Sequence, residues 1–132
     1  MTMHPRLERY ITRLHSLIWN HWLIIDRQVD FISLSDRAIR IQGRITVLDG
    51  SLLYWREIVI RQGHETIKVD YGYQFRTEDE LGFFRYDSES HGRPQPYHHK
   101  HTYQQPIREL ETAPSLFDML KEIEAILISE MT

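Results

Sequence analysis

Apolar residues near the N-terminus recur at spacings of three and four, which is the period of an amphipathic helix. Arg6, Arg9 and Arg13 fall outside the apolar stripe, as expected for a side that faces solvent. The pattern predicts one helix that ends near Trp19 and Asn20. The stripe consists of Leu7, Tyr10, Ile11, Leu14, Leu17 and Ile18.

From Trp22 onward the period changes to two, which is typical of strands whose side chains alternate between two faces. The Asp49-Gly50 pair favours a tight hairpin turn, because both of its positions tolerate positive φ. Further turns are predicted at 62–64 and in the acidic segment 77–80. We therefore predict a meander of five antiparallel strands: the first within Leu23–Leu34, the second containing Ile39, Ile41, Ile45 and Val47, and three more over 52–61, 66–75 and 81–87.

The segment 88–113 contains Pro94, Pro96 and Pro106, too many for a helix interior, so we predict a loop there. Ser115 and Asp118 then form a capping-box pattern, and an apolar stripe follows at helical spacing. We predict an α+β fold in which a five-stranded antiparallel meander sheet carries the N-terminal and C-terminal helices on one face, as a single domain over residues 1–132. The second stripe consists of Leu116, Leu120, Ile123 and Leu127.

Composition narrows the class of protein. The chain has 132 residues, of which 41% are hydrophobic, and it has no cysteine, which excludes disulfides and cysteine-ligated zinc. No apolar run approaches the roughly 20 residues needed to cross a bilayer, and the N-terminus lacks the apolar region of a signal peptide. We therefore expect a cytoplasmic protein that does not enter the membrane.

The net charge is −3, but no Asp or Glu occurs between His91 and Arg108, so an anionic ligand would be attracted to this stretch.

Four of the eight histidines lie in that stretch, and imidazole is the side chain that titrates closest to neutral pH. Metal-independent RNA cleavage needs a base, an acid and cations for the charge that grows on the phosphate. The predicted catalytic residues are His91, His98, His99, His101 and Arg85. Lys100 is predicted to bind phosphate, and Tyr71, Tyr73 and Tyr86 are predicted to stack on bases or donate protons. Glu57 and Asp87 are predicted to orient a histidine.

Other interpretations of these residues remain open. The histidines could be solvated loop residues, Arg85 and Asp87 could form a structural salt bridge, and Glu57 could face solvent. The imidazoles could also hold zinc or nickel, with His99 and His101 on one side of an extended chain and Asp87 or Glu57 as a further ligand. The helical His-Glu-x-x-His signature is absent, and the leading interpretation requires no cofactor or metal.

Several short sequence motifs, taken in their order along the chain, resemble those of the TumE-like toxins of bacterial toxin-antitoxin pairs. The specific ones are Phe84-Arg85-Tyr86-Asp87 and His98-His99-Lys100-His101. Weaker ones are Asp49-Gly50-Ser51 with Leu53 and Glu57, then Tyr71-Gly72-Tyr73 and Pro114-Ser115-Leu116. In that family the Arg-Tyr-Asp element continues Asn-x-Pro-His-His, whereas this chain has Ser88-Glu89-Ser90-His91-Gly92. One histidine of the pair is therefore missing, and His91 is the residue that carries over.

The resemblance implies a small toxin that is neutralised by a co-encoded antitoxin, usually a protein with a helix-turn-helix DNA-binding domain. The fold outline is also similar to RelE-like ribonucleases, which is an analogy only, since a fold does not determine a function. The leading hypothesis is a toxin that binds RNA and acts as a metal-independent ribonuclease. The alternatives are a protein-interaction module without enzymatic activity and a metal-dependent hydrolase.

Overall fold

The computed structural model describes residues 3, 5–77, 84–88, 98–102 and 105–131. Within these residues, an N-terminal helix is followed by four long strands, three short strands and a second helix. The elements are α1 (Pro5–Asn20), β1 (Ile24–Ser35), β2 (Ala38–Val47), β3 (Leu52–Gln62), β4 (Glu65–Arg76), β5 (Phe84–Asp87), β6 (His98–Thr102), β7 (Arg108–Leu110) and α2 (Leu116–Met131).

The strands form one sheet in sequence order, and each pairs with its neighbours in antiparallel orientation. The predicted antiparallel meander and the two helices are therefore confirmed, but the predicted number of strands is wrong, since the described residues build seven rather than five. The two additional strands, β6 and β7, lie in the segment predicted as a loop. β6 consists of His-His-Lys-His-Thr, which lacks an apolar alternation, and it becomes a strand by pairing with β5. Residues 78–83, which cover most of a predicted turn and the start of the fifth predicted strand, lie outside the described residues.

The predicted turn between β2 and β3 is present, but it is longer than a two-residue hairpin. The Gly50 N–H donates to the Val47 carbonyl and the Val47 N–H donates to the Ser51 carbonyl, both at 2.9 Å, so Leu48 and Asp49 are its central residues. Gly50 has a φ of 89°, in the left-handed region that glycine adopts without steric cost. The Asp49 carboxylate accepts a hydrogen bond from the Ser51 backbone N–H at 2.9 Å, which closes the turn. This turn fixes the register of β2 against β3, so that Ile41 lies opposite Glu57 and Gly43 lies opposite Trp55.

Both helices pack on the same side of the sheet, which we call the helix-covered face. Tyr10 of α1 donates a hydrogen bond to Glu57 of β3, and Tyr86 of β5 donates one to Glu122 of α2 at 2.6 Å. Glu57 and Tyr86 belong to this face, as do the apolar residues of β2 that alternate toward it. These strand residues and the apolar stripes of both helices form one buried cluster, which includes Leu7, Leu14, Ile18, Ile39, Ile41, Ile45, Leu53, Trp55, Phe75, Leu120 and Ile123.

The start of α2 follows the predicted capping box. The Ser115 hydroxyl accepts a hydrogen bond from the Asp118 backbone N–H at 3.1 Å, and the Asp118 carboxylate accepts one from the Ser115 N–H at 2.9 Å. Two N–H groups that have no partner within the helix are thereby satisfied. Local sequence therefore sets where α2 begins.

Candidate active site on the open face of the sheet

The side of the sheet opposite the helices, which we call the open face, is polar. Strand register aligns its side chains in two rows that cross the strands from β1 to β6, because directly paired residues point to the same side. The first row is Gln28, Arg44, Tyr54, Gln74, Arg85 and His101. The second row is Asp30, Gln42, Arg56, Gly72, Asp87 and His99.

Four side chains cluster where these rows reach β5 and β6. The Asp87 carboxylate lies at the centre: Oδ1 accepts a hydrogen bond from His99 Nε2 at 2.7 Å, and Oδ2 lies 3.1 Å from Arg85 Nε. His101 Nε2 lies 3.8 Å from the same Oδ2, and its ring centroid is 4.7 Å from that of His99. We call these four residues the Asp87 cluster. It brings two imidazoles, a guanidinium and a carboxylate within contact distance.

The members of the Asp87 cluster differ in how far a substrate could reach them. The side chain of Arg85 is 40% exposed and that of His101 is 18% exposed, whereas Asp87 is 6% and His99 is 0% exposed. A substrate on the open face could therefore touch Arg85 and His101, while His99 and Asp87 would hold them in place from behind.

A cavity of about 540 Å³ opens beside this cluster on the same face. It extends from Arg85 and Asp87 across β4, β3 and β2 to β1, and its lining side chains come from both rows. Polar lining residues include Gln28, Asp30, Gln42, Arg44, Tyr54, Arg56 and Gln74. The volume lies within the usual range for a ligand pocket.

The structure places the other predicted site residues on the helix-covered face or outside the described residues. Tyr71, Tyr73, Tyr86, Lys100, His98 and Glu57 are on the helix-covered face, so the thickness of the sheet separates them from the Asp87 cluster. Glu57, which was predicted to orient a histidine, is therefore separated by the sheet from His99 and His101. His91 lies outside the described residues.

Glu57 is instead the centre of a buried polar network. It accepts hydrogen bonds from the Tyr10 hydroxyl and, at 3.1 Å, from the Tyr73 hydroxyl, and its Oε1 lies 3.4 Å from Lys68 Nζ. Lys68 also donates to the Tyr73 hydroxyl and to the Pro114 carbonyl, both at 2.7 Å. Burial, reinforced by the negative charge of Glu57, raises the pKa of Tyr10 and of Tyr73 above the usual 10.0, so both hydroxyls keep their protons and donate. This network ties α1, β3, β4 and the segment before α2 together.

A second polar contact on the helix-covered face joins Tyr71 and His98, whose Oη and Nδ1 are 2.8 Å apart. Burial lowers the pKa of His98 below the usual 6.5, and the charges of Lys68 and His99 add to this effect. Burial and the nearby charge of Asp87 raise the pKa of Tyr71. We therefore assign the Tyr71 hydroxyl as the donor and a neutral His98 ring as the acceptor.

Tyr86 and Lys100 form a third contact with α2. Both bind the carboxylate of Glu122, and the Lys100 ammonium lies 5.1 Å from the centre of the Tyr86 ring. Burial and the hydrogen bond to Glu122 raise the pKa of Tyr86. These side chains join the sheet to α2, which differs from the substrate-binding role predicted for them.

The Asp87 cluster also contains a donor set that suits a divalent metal. One ligand atom each from Asp87, His99 and His101 lie within 4.8 Å of one another. Two imidazole nitrogens and a carboxylate oxygen are the donors that zinc and related ions prefer. Among the described residues, Glu57 is too remote to join this set, because it is on the other side of the sheet.

Comparison with known proteins gives a family for the chain. The family described as Toxin TumE matches residues 11–127, which is most of the sequence. The chain belongs to the Toxin TumE family. Membership indicates a toxin role and an antitoxin as partner. No curated protein and no solved structure matches the chain significantly. Neither helix of the described residues is both long enough and apolar enough to span a bilayer.

In this member of the TumE family, Ser88 follows the Arg-Tyr-Asp element at the position where the resemblance leads one to expect Asn. Its hydroxyl accepts a hydrogen bond from the Tyr71 backbone N–H at 3.1 Å and donates one to Asp70 at 3.0 Å. Its own N–H donates to the Tyr71 carbonyl at 3.2 Å. Ser88 therefore fixes the end of β5 directly after Asp87, which helps to hold the cluster carboxylate.

Several residues of this TumE-family site were missed by sequence reasoning. Arg44, Tyr54 and Arg56 alternate with apolar neighbours, and this pattern identified only an outward-facing strand surface. The three pairings that bring them into line with Asp87 became evident only from strand register. Lys68 belongs to the Glu57 network and not to this site. It was also missed, because a register shift opposite Ile58 and Val59 turns it to the helix-covered face.

Proposed function

We propose that this TumE-family toxin is a ribonuclease that acts on the open face of its sheet without a metal ion. The observation that carries the proposal is the Asp87 cluster, in which an accessible guanidinium and an accessible imidazole lie beside one buried carboxylate. Cations on a polar sheet face suit a phosphodiester substrate, and an imidazole suits proton transfer near neutral pH.

The proposed reaction is attack of an RNA 2′-oxygen on the adjacent phosphorus. The O2′–P bond forms and the P–O5′ bond breaks, which gives a 2′,3′-cyclic phosphate and a 5′-hydroxyl. The 2′-hydroxyl loses a proton and the leaving 5′-oxygen gains one; His101 is assigned to one of these two transfers and solvent water to the other. Arg85 donates hydrogen bonds to the phosphate oxygens as negative charge grows on them. Asp87 positions Arg85 and His101, and His99 fixes Asp87 through the 2.7 Å hydrogen bond.

The experiment that tests this function compares the parent chain with His101→Gln and Arg85→Gln. Each is expressed from a tightly repressed promoter, while growth and the integrity of total RNA are followed. His64→Gln is the matched control, because His64 is exposed in the turn between β3 and β4. We expect growth arrest and RNA fragments with 2′,3′-cyclic phosphate ends from the parent and the control, and neither from the two cluster variants, whose folding is verified by circular dichroism. Cleavage by His101→Gln at the parental rate would refute the assignment, and growth arrest without RNA loss would move the target elsewhere.

A second candidate function is a metal-dependent hydrolase, and the specific observation that favours it is the Asp87, His99 and His101 donor set. The ion would supply a Lewis acid for the phosphate, and Arg85 would remain beside the leaving charge. Purified parent protein distinguishes the two candidates. Cleavage that persists in EDTA supports the metal-independent mechanism, whereas cleavage that EDTA abolishes and zinc or manganese restores supports the hydrolase.

We further propose that the antitoxin is co-encoded with this chain and carries a helix-turn-helix DNA-binding domain. The support is the family resemblance of the two specific motifs. A cytoplasmic location follows from the proposed RNA substrate and fits the absence of cysteine. Co-expression of the neighbouring open reading frame should restore growth and co-purify with the chain; growth arrest that continues beside a soluble, expressed neighbour would contradict this partner.

A further inference from the structure

The cavity on the open face continues well beyond the groups assigned to the reaction. It crosses the sheet from β5 to β1, which is about 19 Å at the usual spacing of antiparallel strands. The first row of aligned side chains follows the same direction and ends at His101. A substrate that is cleaved beside His101 therefore has a continuous path toward β1.

The side chains along this path have the chemistry of a nucleic-acid strand site. Tyr54 lies at the middle of the row and is 41% exposed, so its ring is accessible to a base that lies on the open face. Arg44 is its direct neighbour on β2 and is also exposed. Among the described residues its guanidinium forms one hydrogen bond, a long one of 3.4 Å to Gln28, so its charge is available to a phosphate. Arg85 provides a second cation on the opposite side of Tyr54.

The second row carries a guanidinium over Gly72, next to the Asp87 cluster. Gly72 lies between Arg56 and Asp87 and has no side chain to fill the space. The Arg56 guanidinium occupies the place that a Cβ at Gly72 would take. Within the described part of the chain, the Arg56 guanidinium is held by one exposed pair with Asp70 at 3.6 Å, which contributes little energy, so it can turn toward an anion.

We propose that this groove binds single-stranded RNA, with Arg44 on a phosphate remote from the cleaved bond and Tyr54 stacked on a base. The inference rests on the proposed ribonuclease function and deepens it by naming the form of the substrate and the residues that hold it. A single strand is required, because a base inside a duplex is stacked on its neighbours and is not accessible to Tyr54. Arg44 and Tyr54 are binding residues and touch no reacting atom.

The experiment measures binding separately from cleavage. The probe is a fluorescein-labelled, unstructured RNA of mixed sequence in which every 2′-hydroxyl is methylated, so that the proposed reaction cannot occur. Anisotropy gives the Kd in EDTA buffer over a series of salt concentrations. The proteins are the parent, Tyr54→Leu, Tyr54→Phe, Arg44→Gln and His101→Gln, with Arg37→Gln as the matched control, because Arg37 is exposed in the turn between β1 and β2.

We expect Tyr54→Leu to weaken binding about tenfold without changing the salt dependence, since the loss is one of stacking. Tyr54→Phe keeps the ring and should bind like the parent. Arg44→Gln should reduce the slope of log Kd against log salt by about 0.7, the value for one phosphate contact on a single strand, whereas Arg37→Gln should leave it unchanged. The fully paired duplex of the same sequence should bind more weakly than the single strand.

The outcomes separate this inference from the proposed function. If the parent and His101→Gln bind equally and only the parent cleaves natural RNA, both stand. If the parent binds through Tyr54 and Arg44 but does not cleave, the groove stands and the ribonuclease proposal fails. If Tyr54→Leu and Arg44→Gln, each folded by thermal melting, bind like the parent, the groove is not the RNA site. Equal binding of the duplex would overturn the claim that the substrate is single-stranded.

Discussion

Replacing Lys68 with Met tests whether the buried Glu57 network stabilises the fold as its geometry requires. The Lys68 ammonium has three N–H donors and three acceptors within 3.4 Å: the Glu57 carboxylate, the Tyr73 hydroxyl and the Pro114 carbonyl. Glu57 has a side-chain exposure of 0% and that of Lys68 is 12%, so solvent cannot replace the lost cation. Methionine has a similar length and no charge. The substitution therefore removes one partner of a buried ion pair while largely preserving the packing.

The expected loss in the free energy of unfolding is about 3 kcal/mol. Breaking a buried pair on one side usually costs about 3–5 kcal/mol, because a charge stays buried without compensation. Here the Tyr10 and Tyr73 hydroxyls still donate to Glu57, which places the effect near the lower end. For a chain of this size the change corresponds to a fall in Tm of about 10 °C. Removing the charge as well, in the double variant Glu57→Gln with Lys68→Met, should recover about 2 kcal/mol relative to the sum of the single changes.

Urea denaturation of the four proteins in this cycle, followed by tryptophan fluorescence and checked for two-state behaviour, measures both quantities. Lys121→Met is the matched control, because Lys121 is exposed on α2, and it should change stability by less than about 0.5 kcal/mol. A loss below about 1 kcal/mol for Lys68→Met, or a double variant that is as unstable as the sum of its parts, would refute the argument that the carboxylate depends on this lysine.

Three further predictions concern other parts of the fold. Gly43→Ala should destabilise the protein by about 1–3 kcal/mol in thermal unfolding, because the new Cβ would lie 2.6 Å from the buried Trp55 ring and 2.9 Å from a backbone carbonyl. Gly72→Ala is the control and should cost less than about 1 kcal/mol, since its Cβ would meet the movable Arg56 guanidinium. Equal losses of stability in the two variants would contradict this explanation. Ser115→Ala should lower stability by about 1 kcal/mol through the lost cap of α2, and an unchanged Tm would show that the hydrogen bond seen there contributes nothing. The pKa of His98 is lower in the folded chain than in the unfolded chain, so the unfolded chain binds a proton at His98 first as the pH falls below about 6.5. The stability that His98 contributes above that pH is therefore lost as the pH falls through its folded-state pKa. His98→Gln should lose less stability than the parent between about pH 7 and pH 5, and parallel plots of unfolding free energy against pH would contradict the prediction.

Local patterns in the sequence were sufficient for the elements whose own residues favour them. The first helix has an apolar stripe, the second has a capping box, and the turn at Asp49-Gly50 has a glycine at a position of positive φ. These are short-range effects, since helix caps and tight turns depend on neighbours within four residues. The second and third strands were also identified because they alternate between buried and more exposed positions.

The strand β6 could not be identified in this way. Its sequence, His-His-Lys-His-Thr, has neither apolar alternation nor strong β propensity. It is extended because backbone groups of β5 are available for pairing, which is a contact between residues distant along the chain. The pairing places Asp87 opposite His99 and Arg85 opposite His101, so the same non-local contact that adds a strand also builds the Asp87 cluster.

The sequence by itself determined the class of fold, the two helices, the principal hairpin turn and the residue types that point to phosphate chemistry, because these depend on periodicity and on local hydrogen bonding. Only the tertiary structure decided which of the candidate residues lie together. Alternation along a strand separates neighbours to opposite faces: His98 and Lys100 turn to the helices, while His99 and His101 turn to the open face. Which face the helices cover depends on packing across the whole sheet, and this choice buries Glu57, Tyr71 and Tyr73 in structural contacts while leaving Arg85 and His101 accessible.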